Sequence, residues 1–366
     1  MLCTGARILL ESLKREGVDL FFGYPGGAVI DIYDELANHP DLRHILVRHE
    51  QGAVHAADGY ARASGKVGVC LATSGPGATN TVTGIATAYS DSIPLVIFTG
   101  QVSTPLIGND AFQEVDIVGI TRPCTKHNFL VKDVRELAAT VRKAFYLARS
   151  GRPGPVLVDI PKNIQQATCE FEWPSEVTMR SYCPTFRANL NQLRRAMDVL
   201  LTSRKPLIVA GGGVIMADAA AELTTLAHLM HAPVCSTLMG LGAFPGDDPL
   251  WIGMLGMHGT YAANKSVNQA DVILAVGARF DDRVTGKLSE FAPNARIVHI
   301  DIDPTTLRKN VRVEVPVVSD ALSALQGLRS ILESGHAEKD WAGDHADWMT
   351  QVQEWQKKQP LSWSKG

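Results

Sequence analysis

A glutamate at a strand-to-helix junction is the first residue that could do chemistry. The stretch Arg48–Ala53 reads Arg-His-Glu-Gln-Gly-Ala and joins a predicted strand to a predicted helix. A carboxylate at such a junction lies at the carboxyl edge of a parallel sheet, where ligands bind in open α/β proteins. Glu50 is therefore expected to face a bound ligand. The alternative is that it only faces the positive end of the helix dipole.

Two glycine turns accompany this glutamate. Tyr24–Ala28 and Ser74–Asn80 each follow a predicted strand and open a predicted helix. Glycines at such positions let the backbone approach a ligand closely. Neither turn has the spacing of a nucleotide-phosphate loop, so each could equally be an ordinary tight turn. Because both turns and Glu50 follow strands of one predicted sheet, we expect them to share one rim.

The second half of the chain contains a weaker pattern of the same kind. Gly211–Gly213 follows a predicted strand, and Asp301–Pro304 ends another. A glycine turn with an acidic strand end suits a dinucleotide, with backbone at the phosphate and carboxylate at the ribose. Glycine triplets after strands are common, so this pattern alone does not establish a nucleotide site.

Arg279–Lys287 reads Arg-Phe-Asp-Asp-Arg-Val-Thr-Gly-Lys, so that two arginines bracket two aspartates. One interpretation is a loop whose charges neutralise each other. The other is an arginine held by an aspartate so that it can receive a carboxylate substrate.

A group of histidines does not predict a metal site. His39, His44, His49 and His55 lie close together in sequence, but their spacing matches no zinc pattern such as HExxH. We therefore predict no metal ligands in this chain.

The elements that must position these residues alternate between strand and helix. The fold class is predicted as α/β, with two doubly wound parallel-sheet domains. The predicted boundaries are a first domain over 1–165, a linker over 166–190, a second domain over 191–335, and the start of a further linker over 336–366. Within that last segment Trp341, Trp348 and Trp355 recur every seven residues, which predicts that one helical face packs against something.

The composition fits a soluble globular protein. Hydrophobic residues make up 45% and charged residues 20% of 366 residues, with a formal net charge of −3. No basic stripe suggests nucleic acid, and no apolar run reaches the roughly 18 residues that span a bilayer. We expect a cytoplasmic protein that binds neither nucleic acid nor a membrane.

Together these stretches resemble the catalytic subunit of the acetohydroxyacid (acetolactate) synthase family, which depends on thiamine diphosphate. Most of the matching segments are shared in part by other thiamine-diphosphate enzymes, whereas DAFQE, GMLGMHG and RFDDRVTG look specific to the synthase that also carries FAD. The segments are Phe22–Ala28, Arg48–Ala53, Ala72–Asn80, Thr99–Val102, Asp110–Glu114, Thr125–Val131, Ser150–Lys162, Gly253–Thr260 and Ala278–Lys287.

The resemblance implies roles for residues of the first domain, which would bind the cofactor's pyrimidine. Glu50 matches the glutamate that hydrogen-bonds the aminopyrimidine N1′ and exchanges a proton with it. Gly27 and Gln101 join Glu50 as expected catalytic residues. Further positions around the pyrimidine and the reacting centre match Tyr24, Pro25, Gly26, Thr73 and Asn80.

The resemblance also implies substrate and FAD contacts. Phe112, Gln113 and Lys162 match the substrate channel, and Arg283, positioned by Asp282, matches the arginine that receives the carboxylate of the second 2-oxo acid. FAD would be structural rather than a redox participant. Its expected contacts are Arg152, His258, Gly259, Thr260, Gly277, Ala278, Arg279, Asp301, Ile302 and Asp320.

The family's third domain, which binds Mg²⁺ and the cofactor diphosphate through a GDG motif, is not expected in this chain. No Gly-Asp-Gly occurs, and Gly246–Asp248 is the nearest stretch. The resemblance thus implies the first two domains of a synthase that decarboxylates pyruvate and joins it to pyruvate or 2-oxobutyrate, inactive when alone. Expected partners are further copies in a homodimer or homotetramer and a small regulatory subunit.

Two other functions stay open at this stage. One is a different thiamine-diphosphate carboligase. The catabolic acetolactate synthase lacks the RFDD-type segment, however, and glyoxylate carboligase lacks the glutamate, while both features occur here. The other is a non-catalytic module that uses these domains only for assembly or FAD binding.

Overall fold

The computed structural model describes residues 2–362 and divides the chain into two compact units, Met1–Cys183 and Pro184–Gly366. Each unit contains a six-stranded sheet, so the predicted α/β class with two parallel sheets is confirmed. The division falls within the predicted linker 166–190. Met1 and residues 363–366, which the predicted boundaries include, lie outside the described residues.

The first unit alternates strands and helices. Its strands are β1 (Leu2–Thr4), β2 (Leu20–Gly23), β3 (Arg43–Leu46), β4 (Gly68–Ala72), β5 (Leu95–Gln101), β6 (His127–Leu130), β7 (Pro155–Pro161) and β8 (Thr168–Glu170). Its helices are α1 (Gly5–Arg15), α2 (Ile30–Leu36), α3 (Glu50–Ser64), α4 (Pro76–Thr79), α5 (Val82–Asp91), α6 (Ile117–Thr121), α7 (Leu137–Arg149) and α8 (Lys162–Gln166).

The main sheet of the first unit is parallel, in the order β3-β2-β4-β5-β7-β6, while β1 and β8 form a separate antiparallel pair. The chain moves outward from β2 to β3 and then returns to the other side of β2. The order therefore reverses between β2 and β4. In open α/β sheets, ligands bind outside the carboxyl ends of strands at such a reversal.

The central strands of this sheet are buried on both faces. β4, β5 and β7 are buried along their whole length. Covering helices on both faces explains why these strands are continuous apolar runs rather than alternating ones. Asp159 is the charged exception within β7.

The second unit has the same alternation. Its strands are β9 (Pro206–Ala210), β10 (Val234–Ser236), β11 (Trp251–Met254), β12 (Val272–Val276), β13 (Arg296–Asp301) and β14 (Val315–Val318). Its helices are α9 (Leu190–Leu201), α10 (Gly212–Met216), α11 (Ala220–Met230), α12 (Tyr261–Gln269), α13 (Asp282–Thr285), α14 (Ala321–Gly335) and α15 (Trp341–Lys358).

All neighbouring strands of the second sheet are parallel, in the order β11-β10-β9-β12-β13-β14. Numbered by their sequence within the unit, the strands lie in the order 3-2-1-4-5-6. This is the strand order of dinucleotide-binding doubly wound sheets. Its reversal lies between β9 and β12.

Alternate residues of the second sheet enter two different cores. Ile208 and Leu274 lie in one cluster, while Val209 and Ala275 lie in the other. Successive side chains of a strand point to opposite faces, so a strand that contributes to both clusters belongs to a sheet that is covered on both faces.

Helix α15 confirms the prediction from the tryptophan spacing. Trp341, Trp348 and Trp355 are all buried against the second unit. The indole nitrogen of Trp348 also donates to the Pro206 carbonyl at 2.8 Å. Most of the described part of the segment 336–366 is therefore a helix packed on this unit. Within residues 2–362, no helix combines the length and the apolar character that crossing a bilayer requires.

Candidate functional site

Glu50 is the first residue of α3 and lies at the carboxyl rim of the first sheet. His49 caps the helix, because its ring nitrogen accepts the Gln51 amide N–H at 3.2 Å. The Glu50 side chain is buried, and Asn80 Nδ2 donates to its Oε2 at 2.9 Å. One carboxylate oxygen is therefore fixed by a residue that follows α4.

The two glycine turns meet at Thr73, next to the carboxylate. A Cβ placed on Gly26 would lie 2.5 Å from the Thr73 methyl group, and one on Gly77 would lie 2.6 Å from the same methyl. A Cβ on Gly77 would also lie 3.1 Å from Oε1 of Glu50. The predicted convergence of both turns and Glu50 on one rim is thus confirmed, and only glycine fits these two positions.

Side chains from α8 and from the residue that follows β4 hold the first glycine turn. Lys162 Nζ donates to the Gly27 carbonyl at 3.0 Å, and Gln165 Nε2 donates to the Ala28 carbonyl at 2.7 Å. The Ala28 amide donates to Thr73 Oγ1 at 3.2 Å. Lys162 is thereby placed at the same rim as Glu50. The turn residues Tyr24, Pro25 and Gly27 remain exposed.

Gln101 ends β5, and its carboxamide is buried in internal hydrogen bonds. Its Nε2 donates to Asp159 Oδ2 at 3.0 Å and to the Val115 carbonyl at 2.9 Å. Its Oε1 accepts the Val102 amide N–H at 2.9 Å. The structure therefore shows this predicted catalytic residue engaged at both ends of its amide.

Asp159 was not among the residues that the sequence pattern singled out. It is 2% exposed and accepts hydrogen bonds from Thr99 Oγ1, at 2.7 Å, and from Gln101. Burial raises the pKa of Asp159 to about 7, with a further contribution from Asp116, although both hydrogen bonds act in the opposite direction. The sequence feature that could have identified Asp159 is that it is a single carboxylate within the apolar run of β7.

The loop that carries Phe112 and Gln113 reaches the second glycine turn. A Cβ on Gly75 would lie 2.6 Å from the Gln113 carbonyl oxygen. The Glu114 carboxylate accepts the amide N–H groups of Gly108 and Ala111 and so organises the loop from within. Phe112 is 86% exposed at its tip, which makes its aromatic face available to a ligand.

Arg152 lies apart from the Glu50 rim. It stands between α7 and the beginning of β7, and its Nε donates to Ser92 Oγ at 2.8 Å. Ser92 in turn caps the end of α5, before β5 begins. Both residues therefore lie at the amino edge of the sheet, opposite Glu50.

The rim of the second sheet is built from backbone. At the strand reversal, the Gly213 amide donates to the Gly277 carbonyl at 3.1 Å. A Cβ on Gly211 would lie 2.0 Å from that carbonyl, and one on Gly277, whose φ is +60°, would lie 2.5 Å from Gly213 Cα. Glycine is therefore required at these positions, because the backbones of the two strand-end turns pack directly against each other.

The other predicted FAD contacts follow carboxyl ends of the same sheet. Two of them serve as helix caps: Thr260 caps α12 and Asp320 caps α14. Asp301 is the last residue of β13, and the remaining residues follow β11, β12 or β13: His258, Gly259, Ala278, Arg279 and Ile302. In doubly wound dinucleotide folds the ribose-binding acid follows the first β-strand and helix, at the end of the second strand. That strand here is β10, which ends at Ser236, so Asp301 stands elsewhere on the rim.

A buried histidine supports this rim from below. His299 is 1% exposed, and its Nε2 donates to the Ala278 carbonyl at 2.7 Å. Its ring lies edge-on to Phe280, with centroids 5.1 Å apart. Burial lowers the pKa of His299 to about 4, so the ring is neutral near pH 7.

Arg283 and Asp282 lie on the exposed surface of α13. Their Nε and Oδ2 atoms are 3.7 Å apart, and the two side chains are 68% and 79% exposed. That separation exceeds a hydrogen bond, so Asp282 holds Arg283 only loosely. Arg279 pairs instead with Asp281, at 3.3 Å. Arg283 and Glu50 lie in different units.

Comparison with known protein families agrees with this architecture. A family model described as the N-terminal TPP binding domain of thiamine pyrophosphate enzymes matches residues 3–120. A second, described as the central domain of thiamine pyrophosphate enzymes, matches residues 193–328. The two matches fall in the first and second units respectively.

Several similar curated proteins are named acetolactate synthase. The chain is 51% identical over 364 residues to the acetolactate synthase isozyme 3 large subunit of Escherichia coli, and 48% identical over 364 residues to the acetolactate synthase large subunit of Haemophilus influenzae. These matches cover 98% and 99% of this chain and 63% of each relative. A probable acetolactate synthase large subunit of Methanocaldococcus jannaschii is 53% identical over 331 residues, or 90% of this chain and 56% of the relative.

These matches and the two sheets agree on one family. The chain spans about 63% of the length of the first two relatives. Glu50 and both glycine turns fall inside the match to the TPP binding domain, and Gly211–Gly213 and Gly277 fall inside the match to the central domain. The chain therefore belongs to the thiamine pyrophosphate enzymes, of which it carries the N-terminal TPP binding domain and the central domain.

Proposed function

We propose that this chain supplies the proton-transferring half of the cofactor site and the FAD-binding domain of an acetolactate synthase. The reaction is the decarboxylation of pyruvate and its joining to pyruvate or 2-oxobutyrate, in branched-chain amino acid biosynthesis. Relatives that bear this name and are 51% and 48% identical over nearly the whole chain support the assignment.

The observation that carries the proposal is the buried carboxylate of Glu50 at the strand reversal. One of its oxygens is held by Asn80, and the other lies beside Gly77. This arrangement places the carboxylate beside Gly77 of the second glycine turn, and Thr73 lies between Gly77 and Gly26 of the first turn. A flat heteroaromatic ring can approach the backbone of a glycine turn closely.

These residues fit thiamine diphosphate. Glu50 would hydrogen-bond the aminopyrimidine N1′ and exchange a proton with it. The residues that would surround the ring are Tyr24, Pro25, Gly26, Gly27, Thr73 and Asn80. When bound, the cofactor supplies the carbon nucleophile and the electron sink for decarboxylation. Glutamine at position 50 would preserve the hydrogen bond from Asn80 but could not accept a proton.

The second sheet fits FAD. Its strand order and the backbone at Gly211, Gly213 and Gly277 support a dinucleotide at the reversal. The rim residues that would contact it are His258, Gly259, Thr260, Ala278, Arg279, Asp301, Ile302 and Asp320. Arg152, on the amino edge of the first sheet, is the remaining proposed contact. FAD has no net redox role in the proposed reaction.

Substrate and assembly complete the proposal. Phe112, Gln113 and Lys162 would line the path of the 2-oxo acid, and Arg283 would bind the carboxylate of the acceptor. Mg²⁺ would hold the cofactor diphosphate through ligands that we do not assign to this chain. We propose a cytoplasmic homodimer or homotetramer with a small regulatory subunit, in keeping with relatives named as large subunits.

The test combines an absorbance spectrum with an acetolactate assay. The purified chain is expected to be yellow, and acetolactate formation is expected when the C-terminal part of a full-length relative is added. A colourless protein that takes up no FAD would refute the FAD assignment. Activity in the Glu50→Gln variant under the same conditions would remove Glu50 from the mechanism.

A further inference from the structure

Asp159, which is not among the proposed catalytic residues, is hydrogen-bonded to one of them, Gln101, as a result of the strand register. Thr99 and Asp159 pair directly across β5 and β7, and Gln101 lies two residues further on the same face of β5. This register places two donors beside one buried carboxylate, with Thr99 Oγ1 on Oδ1 and Gln101 Nε2 on Oδ2. The contact therefore follows from the pleat of the sheet.

The carboxylate determines which way the Gln101 amide faces. Oδ2 of Asp159 accepts the hydrogen bond from Gln101 Nε2, so the carboxyl group meets the nitrogen end of the amide. The oxygen end then meets the Val102 amide N–H at 2.9 Å. A flipped amide would set oxygen against the carboxylate and nitrogen against the Val102 N–H, and both contacts would be lost.

The same amide holds one end of the loop that carries Phe112 and Gln113. Gln101 Nε2 also donates to the Val115 carbonyl, where the loop ends. The beginning of the loop has a different anchor, because Asn163 bonds both the amide and the hydroxyl of Thr104, at 2.8 and 2.9 Å. The two ends of the loop are thus held by independent side chains.

We propose that Asp159 is a positioning residue that fixes the Gln101 carboxamide and, through it, the carboxyl-terminal half of the loop beside the Glu50 rim. The catalytic meaning of this role rests on the proposed function, whereas the mechanical link itself does not. Asp116, at the start of α6, is the charged group that acts on Asp159 from a neighbouring element. Its charge opposes ionisation of Asp159, while Thr99 and Gln101 favour it.

The link can be tested on the 366-residue chain by hydrogen–deuterium exchange without any cofactor. Asp159→Leu removes both acceptor oxygens. Asp159→Asn keeps the link, because its amide oxygen accepts from Gln101 and its NH₂ donates to the Thr99 hydroxyl. Asn163→Ala is the matched control, since it releases the other end of the same loop.

Asp159→Leu is expected to accelerate exchange about tenfold at Val102 and over residues 110–117, while Asp159→Asn stays close to wild type. Asn163→Ala should instead affect residues 104–109. Equal exchange in the wild type and the leucine variant would overturn the link, and so would an asparagine variant as fast as the leucine variant.

If Asp159→Leu does not fold, Gln101→Leu breaks the same link from the other side and must accelerate exchange over residues 110–117. Unchanged exchange in that variant would overturn the proposal. An acetolactate assay without product would count against the proposed function only, because none of these exchange measurements depends on turnover.

Discussion

The carboxyl rims of the two sheets differ in the groups that they present. The first presents a buried carboxylate, Glu50, held by Asn80. The second presents backbone at Gly213 and Gly277, where added side chains would collide. Proton transfer requires a titratable group at a fixed place, whereas holding a dinucleotide requires close backbone approach. Under the proposed function, one architecture would thus support a reacting centre in one unit and a binding surface in the other.

Each rim is also supported by a buried titratable residue, but the pKa values of the two residues are shifted in opposite directions. Burial raises the pKa of Asp159 to about 7 and lowers that of His299 to about 4. In both cases the neutral form is favoured, because burial penalises charge whatever its sign. Asp159 contacts a side chain of its rim, while His299 contacts the backbone carbonyl of Ala278.

The largest effect is expected at the first rim. Glu50→Gln should lower acetolactate formation about 10²- to 10⁴-fold in an enzyme that contains both this chain and the C-terminal part of a relative, since proton exchange is lost while packing is preserved. Initial rates and thermal unfolding of the same preparations measure this. Comparable rates with an unchanged melting temperature would show that this rim does no proton chemistry.

At the second rim the expected loss is structural. Gly277→Ala combines a positive φ with a clash against Gly213, and it should lower the free energy of unfolding by about 2–4 kcal/mol and weaken FAD retention. Urea titration and the flavin absorbance of the purified protein measure both effects. Gly246→Ala, where an added Cβ meets open space, is the control and should change neither.

The pH dependence of stability should separate the two supporting residues. As pH rises from about 4 to 7, wild type should lose stability relative to Asp159→Asn, because the raised pKa favours the protonated, folded form at low pH. As pH rises from about 4 to 6.5, wild type should gain stability relative to His299→Gln. Over this range the histidine of the unfolded chain loses its proton, whereas that of the folded chain is already neutral.

Each of these differences should reach an order of 3 kcal/mol, measured as the free energy of unfolding from urea titrations at several pH values. The asparagine and glutamine variants carry no titrating group at these positions and serve as the reference in each comparison. If the stability difference between wild type and variant changed with pH in the same direction for both residues, the opposite shifts of the two pKa values would be contradicted.

The smallest effect is expected on the exposed helix α13. Arg283→Lys should raise the KM for the acceptor 2-oxo acid about tenfold, because an ammonium group lacks the planar fork that grips a carboxylate. Thermal unfolding should not change, since the side chain is 68% exposed. Asp282→Asn is expected to alter the KM less than about threefold, given the 3.7 Å separation of the pair. A larger effect there would show that Asp282 does position Arg283.

The sequence by itself determined the α/β class, the apolar runs of the central strands, the tryptophan face of α15 and the glycine turns beside Glu50. These features depend on local periodicity and on residues close in sequence. Among the strands of the two six-stranded sheets, β6, β11 and β14 were not predicted. Each has four residues and lies at a sheet edge, and β14 carries Pro316 in its interior, where proline is mostly confined to edge strands.

Only the tertiary structure decided the strand order of each sheet and therefore which residues become neighbours. Thr99 and Asp159 are separated by 60 positions, and His299 and Ala278 by 21, yet both pairs are joined by hydrogen bonds. Hydrophobic periodicity shows which face a residue lies on but not which strand pairs with it. The physical reason is that strand pairing is set by the packing of the whole sheet, so the supports of both rims could not be read from local pattern.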